Sequence, residues 1–355
     1  MRDVSLEAGQ AIAMSQGHLA EAIMSRQCAF QPELMAQYDE TARAKCIQDI
    51  HYHLSYLAGA LYSSSPALWA DYLAWAKVLL SNLGLPDECL NGNVECIRAV
   101  LLDELPGDLG KTAAEYVQQG METIGAAPTE LPSFIRTDNP HATLAARYLD
   151  ALLRGERQAA SRLILDAVQG GVSVRDIYRY VFQPVQHEIG RLWQMNRISV
   201  AQEHYCTAAT QLVMSQLYPF IFTAERKDRR LVATCVSGEL HEVGVRMVAD
   251  LFEMAGWDTY YLGSNTPTDS VIRTLIERKA EVLGVSATIT WHVGQVASLL
   301  EAVERAGLRG QVRILVGGYP FNIAPDLWQK LGADGYAPDA SRALSVAEEL
   351  LTAHA

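Results

Sequence analysis

From Leu231 onward the sequence changes period, and that change restricts the fold more than any other feature. Apolar runs at Leu231 to Val236, Thr259 to Leu262, Val282 to Ser286 and Val312 to Val316 have strand length, and helix-length segments at about 242–255, 267–279, 293–306 and 324–331 separate them. A short strand at Gly335-Tyr336 and a last helix from about 341 complete the series. Strands that are apolar on both faces and alternate with helices form a doubly wound parallel sheet.

In such a sheet ligands bind beyond the carboxyl ends of the strands. Those ends carry Glu239, His241, Glu242 and Gly244 after the first strand, Ser286-Ala-Thr288 after the third, and Gly317-Gly318-Tyr319 after the fourth. An imidazole there can be a general base, a metal ligand or a satisfied loop residue, and a carboxylate two positions away can hold one ring nitrogen. Three points argue against a dinucleotide site: the first turn lacks G-x-G-x-x-G, His241 enters where a pyrophosphate needs bare backbone, and no P-loop lysine follows. Paired glycines after a late strand let something long and bulky pass without meeting a Cβ.

The earlier chain is mainly α. Residues 1–136 read as an all-helical domain with aromatic-rich faces, closed by the proline-rich linker 126–140. Asp49, His51, His53 and Tyr56 lie on neighbouring turns of one helix, near Tyr52, Trp69, Tyr72 and Trp75 in sequence, and could recognise a flat conjugated ligand or simply belong to the core. Residues 137–227 read as a four-helix bundle, with Ser173 capping a helix that runs through Trp193 and Ser199-Val-Ala-Gln202 forming a capping box for the next. Trp193 and the pair Glu203-His204 then present from one end of that bundle. Residues 228–355 are the Rossmann-like, flavodoxin-like domain with its five-stranded parallel sheet.

Composition narrows the function. A formal charge of -12 repels polyanions, and the first 136 residues hold eight Lys/Arg against seventeen Asp/Glu, so no DNA-binding head is expected there. The basic cluster Arg226 to Arg230 reads as a solvated connection. The six cysteines form no C-x-x-C pair, which argues against a disulfide framework or structural zinc. With no membrane-length apolar run and no secretory signal, a cytoplasmic chain is expected.

Together, E239-L-H241-E-V-G244, S286-A-T288 and G317-G318 resemble the D-x-H-x-x-G, S-x-L/T and G-G motifs of the cobalamin-binding module found in methionine synthase, corrinoid proteins and light-sensing B12 repressors. The resemblance covers roughly 137–355 and implies a helical cap on a Rossmann-like domain. It implies that His241 is the lower cobalt ligand, that Ser286 meets the displaced base, and that Gly317-Gly318 leaves room for the nucleotide tail. Glu239 departs from the usual aspartate. W193-x9-E203-H204 is similar to the adenosylcobalamin photoreceptor signature, although Gln194 stands where those repressors have a histidine that ligates cobalt after photolysis. C46-I-Q-D49-I-H51-Y-H53-L-S-Y56-L looks most like the front part of photocobilins, which hold biliverdin as well as B12.

The resulting expectation is a non-enzymatic light sensor that binds adenosylcobalamin and biliverdin. Photolysis of the Co–C bond would drive light-dependent assembly of a homo-oligomer or action on a separate signalling partner. The alternatives are a corrinoid methyl carrier of a methyltransferase system, and an interaction protein that merely retains the B12-binding fold. An adenosylcobalamin mutase is disfavoured because no substrate barrel is present.

Overall fold

The structure, a computed structural model, describes residues 3–222 and 224–352. The chain divides into two compact units. One takes the chain up to Thr129 together with Ala287–Glu301 and Tyr319–Gly332; the other takes Glu130–Ser286, Ala302–Gly318 and the chain from Ala333.

The first unit is built on α1 (Val4–Phe30), α2 (Pro32–Met35), α3 (Glu40–Tyr62), α4 (Pro66–Asn82), α5 (Asp87–Glu104) and α6 (Gly107–Ile124). Asp39 caps α3 by accepting from the amide of Ala42, and Pro66 sits in the first turn of α4, where its missing N–H costs nothing. Ile12, Leu19, Ile23, Ile50, Leu54, Leu57, Trp69 and Leu73 make the core, each at most 1% exposed. Their i, i+3/i+4 spacing is what the sequence shows for this region.

The bundle of the second unit comprises α7 (Ala142–Leu153), α8 (Arg157–Gln169), α9 (Val174–Ile177), α10 (Gln183–Gln194), α11 (Val200–Gln216) and the short α12 (Tyr218–Ile221). Both expected caps form: Ser173 accepts from the Asp176 amide, and Ser199 with Gln202 makes the capping box. The helix expected through Trp193 is interrupted by a π turn at Tyr178–Phe182. Pro184 has no N–H for the carbonyl of Tyr180, four residues earlier, so the regular ladder cannot continue there. The side chain of Asn139 donates to that carbonyl instead, at 2.7 Å.

The sheet contains β1 (Arg230–Cys235), β2 (Asp258–Gly263), β3 (Val282–Ser286), β4 (Arg313–Gly317) and β5 (Gly335–Ala337). All pairings are parallel and the order is β2-β1-β3-β4-β5, the flavodoxin-like arrangement. The connecting helices are α13 (Val243–Met254), α14 (Thr268–Arg278), α15 (Val293–Arg305), α16 (Tyr319–Ile323) and α17 (Leu327–Lys330), with α18 (Ala340–Thr352) last. The helix expected at 324–331 is thus two short ones, the first of which begins earlier. Pro325 lies in the gap between them and biases Ala324 away from helix. Leu231, Ala233 and Cys235 point toward Val245, Ala249 and Phe252 of α13 and Ala343 and Ala347 of α18. The bundle core reaches the same helix through Met247.

The basic cluster is consumed by ion pairs. Arg226 meets Glu253, Lys227 meets Glu348, Arg229 meets Glu281, and Arg230 meets Asp228. Among the described residues no helix is long and apolar enough to cross a membrane.

Candidate functional site

Strand β1 pairs with β2 on one side and β3 on the other, which makes the carboxyl end of β1 the switch point where sheets of this order receive ligands. In register, Cys235, Ser286, Gly317 and Ala337 end neighbouring strands. The loop after β1 turns at Gly238, whose φ of 83° favours glycine. It is tied to the loop after β2 by Gly238 N–H to Asn265 Oδ1 at 2.8 Å and Asn265 N–H to the Glu239 carbonyl at 2.9 Å.

Glu239 is fully buried, an expensive place for a carboxylate unless donors surround it. Its Oε1 accepts from the amide of His241 at 2.9 Å and lies 2.6 Å from Nδ1 of the same residue. The longer glutamate therefore reaches both groups. With Nδ1 so engaged, Nε2 is left to act on a ring whose side chain is 59% exposed. The hydrogen bond to Glu239 raises the imidazole above its ordinary pKa; burial opposes this, and the charges of Glu239 and Glu203 reinforce it.

Glu242 faces elsewhere. Its carboxylate accepts from Gln211 Nε2 at 2.7 Å, Tyr261 Oη at 2.9 Å and the Ser264 amide at 2.9 Å. Burial pushes this carboxyl up, but the hydrogen bonds outweigh burial and hold it below the usual range. Gln211 belongs to α11, so Glu242 joins the bundle to the loop carrying His241. A Cβ built on Gly244 would meet no atom within 4 Å, whereas one on Gly317 would come within 3.1 Å of the Ala337 carbonyl. Gly318 has φ 109°. The glycine pair therefore also has reasons within the fold itself.

On the bundle, Trp193 is half-buried near the end of α10 and Gln194 is buried. Glu203 accepts from Thr207 Oγ1 at 3.0 Å and pairs with the exposed His204. Behind them Thr207 also reaches Gln186, whose amide donates to Thr210 at 2.8 Å, and Tyr148 donates to the same threonine. These polar groups were not singled out from sequence. The signal was present as a stripe at helical spacing on α11: Glu203, Thr207, Thr210 and Gln211.

The remaining candidates lie in the first unit. Tyr319 donates to Asp71 at 3.0 Å, and Thr288 is half-buried two residues beyond β3. His53 is buried with Nδ1 2.7 Å from Tyr72 Oη, and burial pushes it down to about 4. Tyr56 stacks on Tyr72 at 3.7 Å and meets Trp291 edge-on at 4.8 Å. The carbonyl of His51 accepts from Gln16, and Asp49 is exposed. The aromatic faces offered for a bilin are thus in contact with one another and with Trp291, which sequence reasoning passed over.

Among the described residues no group of three or more His, Cys, Asp or Glu side chains could hold a metal ion. A single oriented imidazole suits a metal that arrives already ringed by a macrocycle, and the donors around His241 fit a corrin on that count.

Comparison with known proteins bears on the whole second half. Two family models match, each described as a B12 binding domain, over residues 144–218 and 229–345. The chain is 34% identical over 129 residues to dimethylamine corrinoid protein 3 of Methanosarcina acetivorans, which is 36% of this chain and 59% of that protein. It is 32% identical over 130 residues to dimethylamine corrinoid protein 3 of Methanosarcina mazei, 36% of this chain and 76% of that one. The Methanosarcina barkeri monomethylamine corrinoid protein superposes with a TM-score of 0.54 at 22% identity, over 59% of this chain and 99% of its own, a likeness of fold alone. The chain spans 59%, 56% and 59% of the length of three of the dimethylamine relatives it matches. The sequence matches overturn the expected photoreceptor: the similar proteins are dimethylamine corrinoid proteins, not light sensors of photocobilin type with biliverdin and a signalling role.

Proposed function

We propose that this chain, which belongs to the B12-binding corrinoid protein family, is a non-enzymatic corrinoid carrier that passes a methyl group between partner methyltransferases. Its corrinoid is the cofactor expected of that family. The observation that carries the reading is the buried Glu239 carboxylate holding Nδ1 of His241 at 2.6 Å, which would present Nε2 to the metal of the corrin. When bound, the cobalt corrin supplies a metal centre that can accept and release a one-carbon group.

The chain's own groups would do the rest. Glu239 fixes the imidazole tautomer and keeps the ring from rotating. Gly244 offers no Cβ beside the macrocycle, and Ser286, Gly317 and Gly318 are the residues proposed to receive the nucleotide tail. Trp193, Glu203 and His204 would line the opposite face, where the group is exchanged, in place of the adenosyl enclosure expected from their spacing. Glu242 positions the His241 loop through Gln211, Tyr261 and Ser264, rather than touching the cofactor. The identity with dimethylamine corrinoid proteins supports a methylated amine as the source of the methyl group.

Reconstitution with hydroxocobalamin tests this. The expected result is one corrin per chain with an absorption spectrum of imidazole coordination that disappears in His241→Ala, and stoichiometric methylation by methyl iodide after reduction. A chain that binds no corrin, or a His241→Ala spectrum identical to the parent, overturns the reading.

A further inference from the structure

The linker ahead of the bundle does more than connect. Residues 134–140 lie along the π turn and α10 and line with them an open cleft of about 340 Å³. The segment is anchored at both ends. At one, the Phe134 amide donates to the buried Glu188 at 2.9 Å, and Arg191, which pairs with that carboxylate, also donates to the Leu131 carbonyl at 2.8 Å. At the other, Asn139 holds the Tyr180 carbonyl that Pro184 leaves without a donor.

Between these anchors the cleft presents rings and charge. Phe134, 45% exposed, stands edge-on to His187 at 5.3 Å. The Arg179 guanidinium lies 5.2 Å from the Tyr180 ring centre and has no carboxylate partner among the described residues. Arg136 shares its guanidinium with Asp138 at 3.1 and 3.3 Å. Two guanidinium groups against one carboxylate leave a single positive charge at the rim, on a chain whose formal charge is -12. The volume is at the small end for organic ligands, enough for one or two fused rings.

We propose that this cleft is a second ligand site, for a planar aromatic molecule bearing one negative charge. The anionic group pairs with Arg179, and the ring lies between Phe134 and Tyr180. The site is separate from the corrin residues, so it stands or falls without them. It is built on the turn that also supplies Tyr178, whose hydroxyl donates to Asp250 of α13 at 2.6 Å.

Calorimetric titration of the full chain with 2-naphthoate tests the proposal, with 2-naphthol supplying the ring without the charge and acetate the charge without the ring. The expected result is saturable binding of 2-naphthoate, weakened about tenfold in Arg179→Gln and also weakened in Phe134→Ala, with both variants keeping the parent's melting curve and corrin content. Acetate should not compete, and 2-naphthol should bind at least about tenfold more weakly. Absence of 2-naphthoate binding, binding by both variants as tight as the parent's, or 2-naphthol binding as tightly as 2-naphthoate each overturns it.

Discussion

Glu239, a carboxylate with no solvent exposure, is engaged twice by one neighbouring residue. Glu239 takes both the amide and the Nδ1 proton of His241, and that local ring of bonds leaves the imidazole only one nitrogen for a metal. Replacing Glu239 by Gln keeps the shape but removes the charge, and should weaken hydroxocobalamin binding by about 10- to 100-fold, the usual cost of losing such a partner. Equilibrium dialysis measures it; unchanged affinity would show that the carboxylate does not support the ligand. The pairing was legible because two residues in one short loop must lie close together. The neighbour Glu242 was not, because nothing local reveals that its carboxylate turns toward Gln211, thirty-one positions earlier, and Tyr261, nineteen later.

At the scale of elements, α13 is the member on which the bundle rests. Glu242→Ala removes three hydrogen bonds in front of it and should cost about 2 kcal/mol in urea unfolding, a loss that a role confined to cofactor contact would not produce. Deeper along the same helix, Asp250 accepts from Tyr178, and burial pushes its carboxyl up to about 6 against that hydrogen bond and the charge of Arg246. The folded value lies above the ordinary one, so the stability contributed by the protonated carboxyl is complete below about pH 4 and is lost as pH rises through 6. Asp250→Asn keeps an acceptor for Tyr178 and should gain roughly 3 kcal/mol over the parent at pH 8. The gain should vanish toward pH 4, as followed by urea unfolding across that range; a gain equal at both ends would rule out ionisation as its cause. The π turn beside Tyr178 could be anticipated from Pro184, but its accommodation by Asn139 could not.

At the scale of the molecule, the segments Ala287–Glu301 and Tyr319–Gly332 are compact with the N-terminal helices. Gly59 is what permits it: a Cβ there would come within 2.9 Å of the Thr290 carbonyl and of Trp291 Cα. Trp291 meets Tyr56 and stacks on Tyr52, Tyr319 donates to Asp71, and Lys330 donates to the Ser64 carbonyl. A chain started at residue 130 loses all of these partners. It should bind a hydrophobic dye that the full chain does not, with Trp291→Gln reducing that signal; a dye-silent truncation would mean that the two segments find other cover.

The sequence by itself determined the parallel sheet, the bundle with its two serine caps, and the motif that puts His241 at a strand end, because each follows from local periodicity, capping chemistry or loop composition. It also held the wrong emphasis. Trp193, Glu203 and His204 have the spacing of a light-sensing signature, yet the related proteins are methylamine corrinoid proteins, and spacing says nothing about which group a face has to hold. Only the tertiary structure decided the hydrogen bonds of Glu242, the union of Tyr178 with Asp250, and the aromatic contacts of Trp291. Those pairings join residues far apart in the chain, and no local preference encodes which distant side chain will supply a donor.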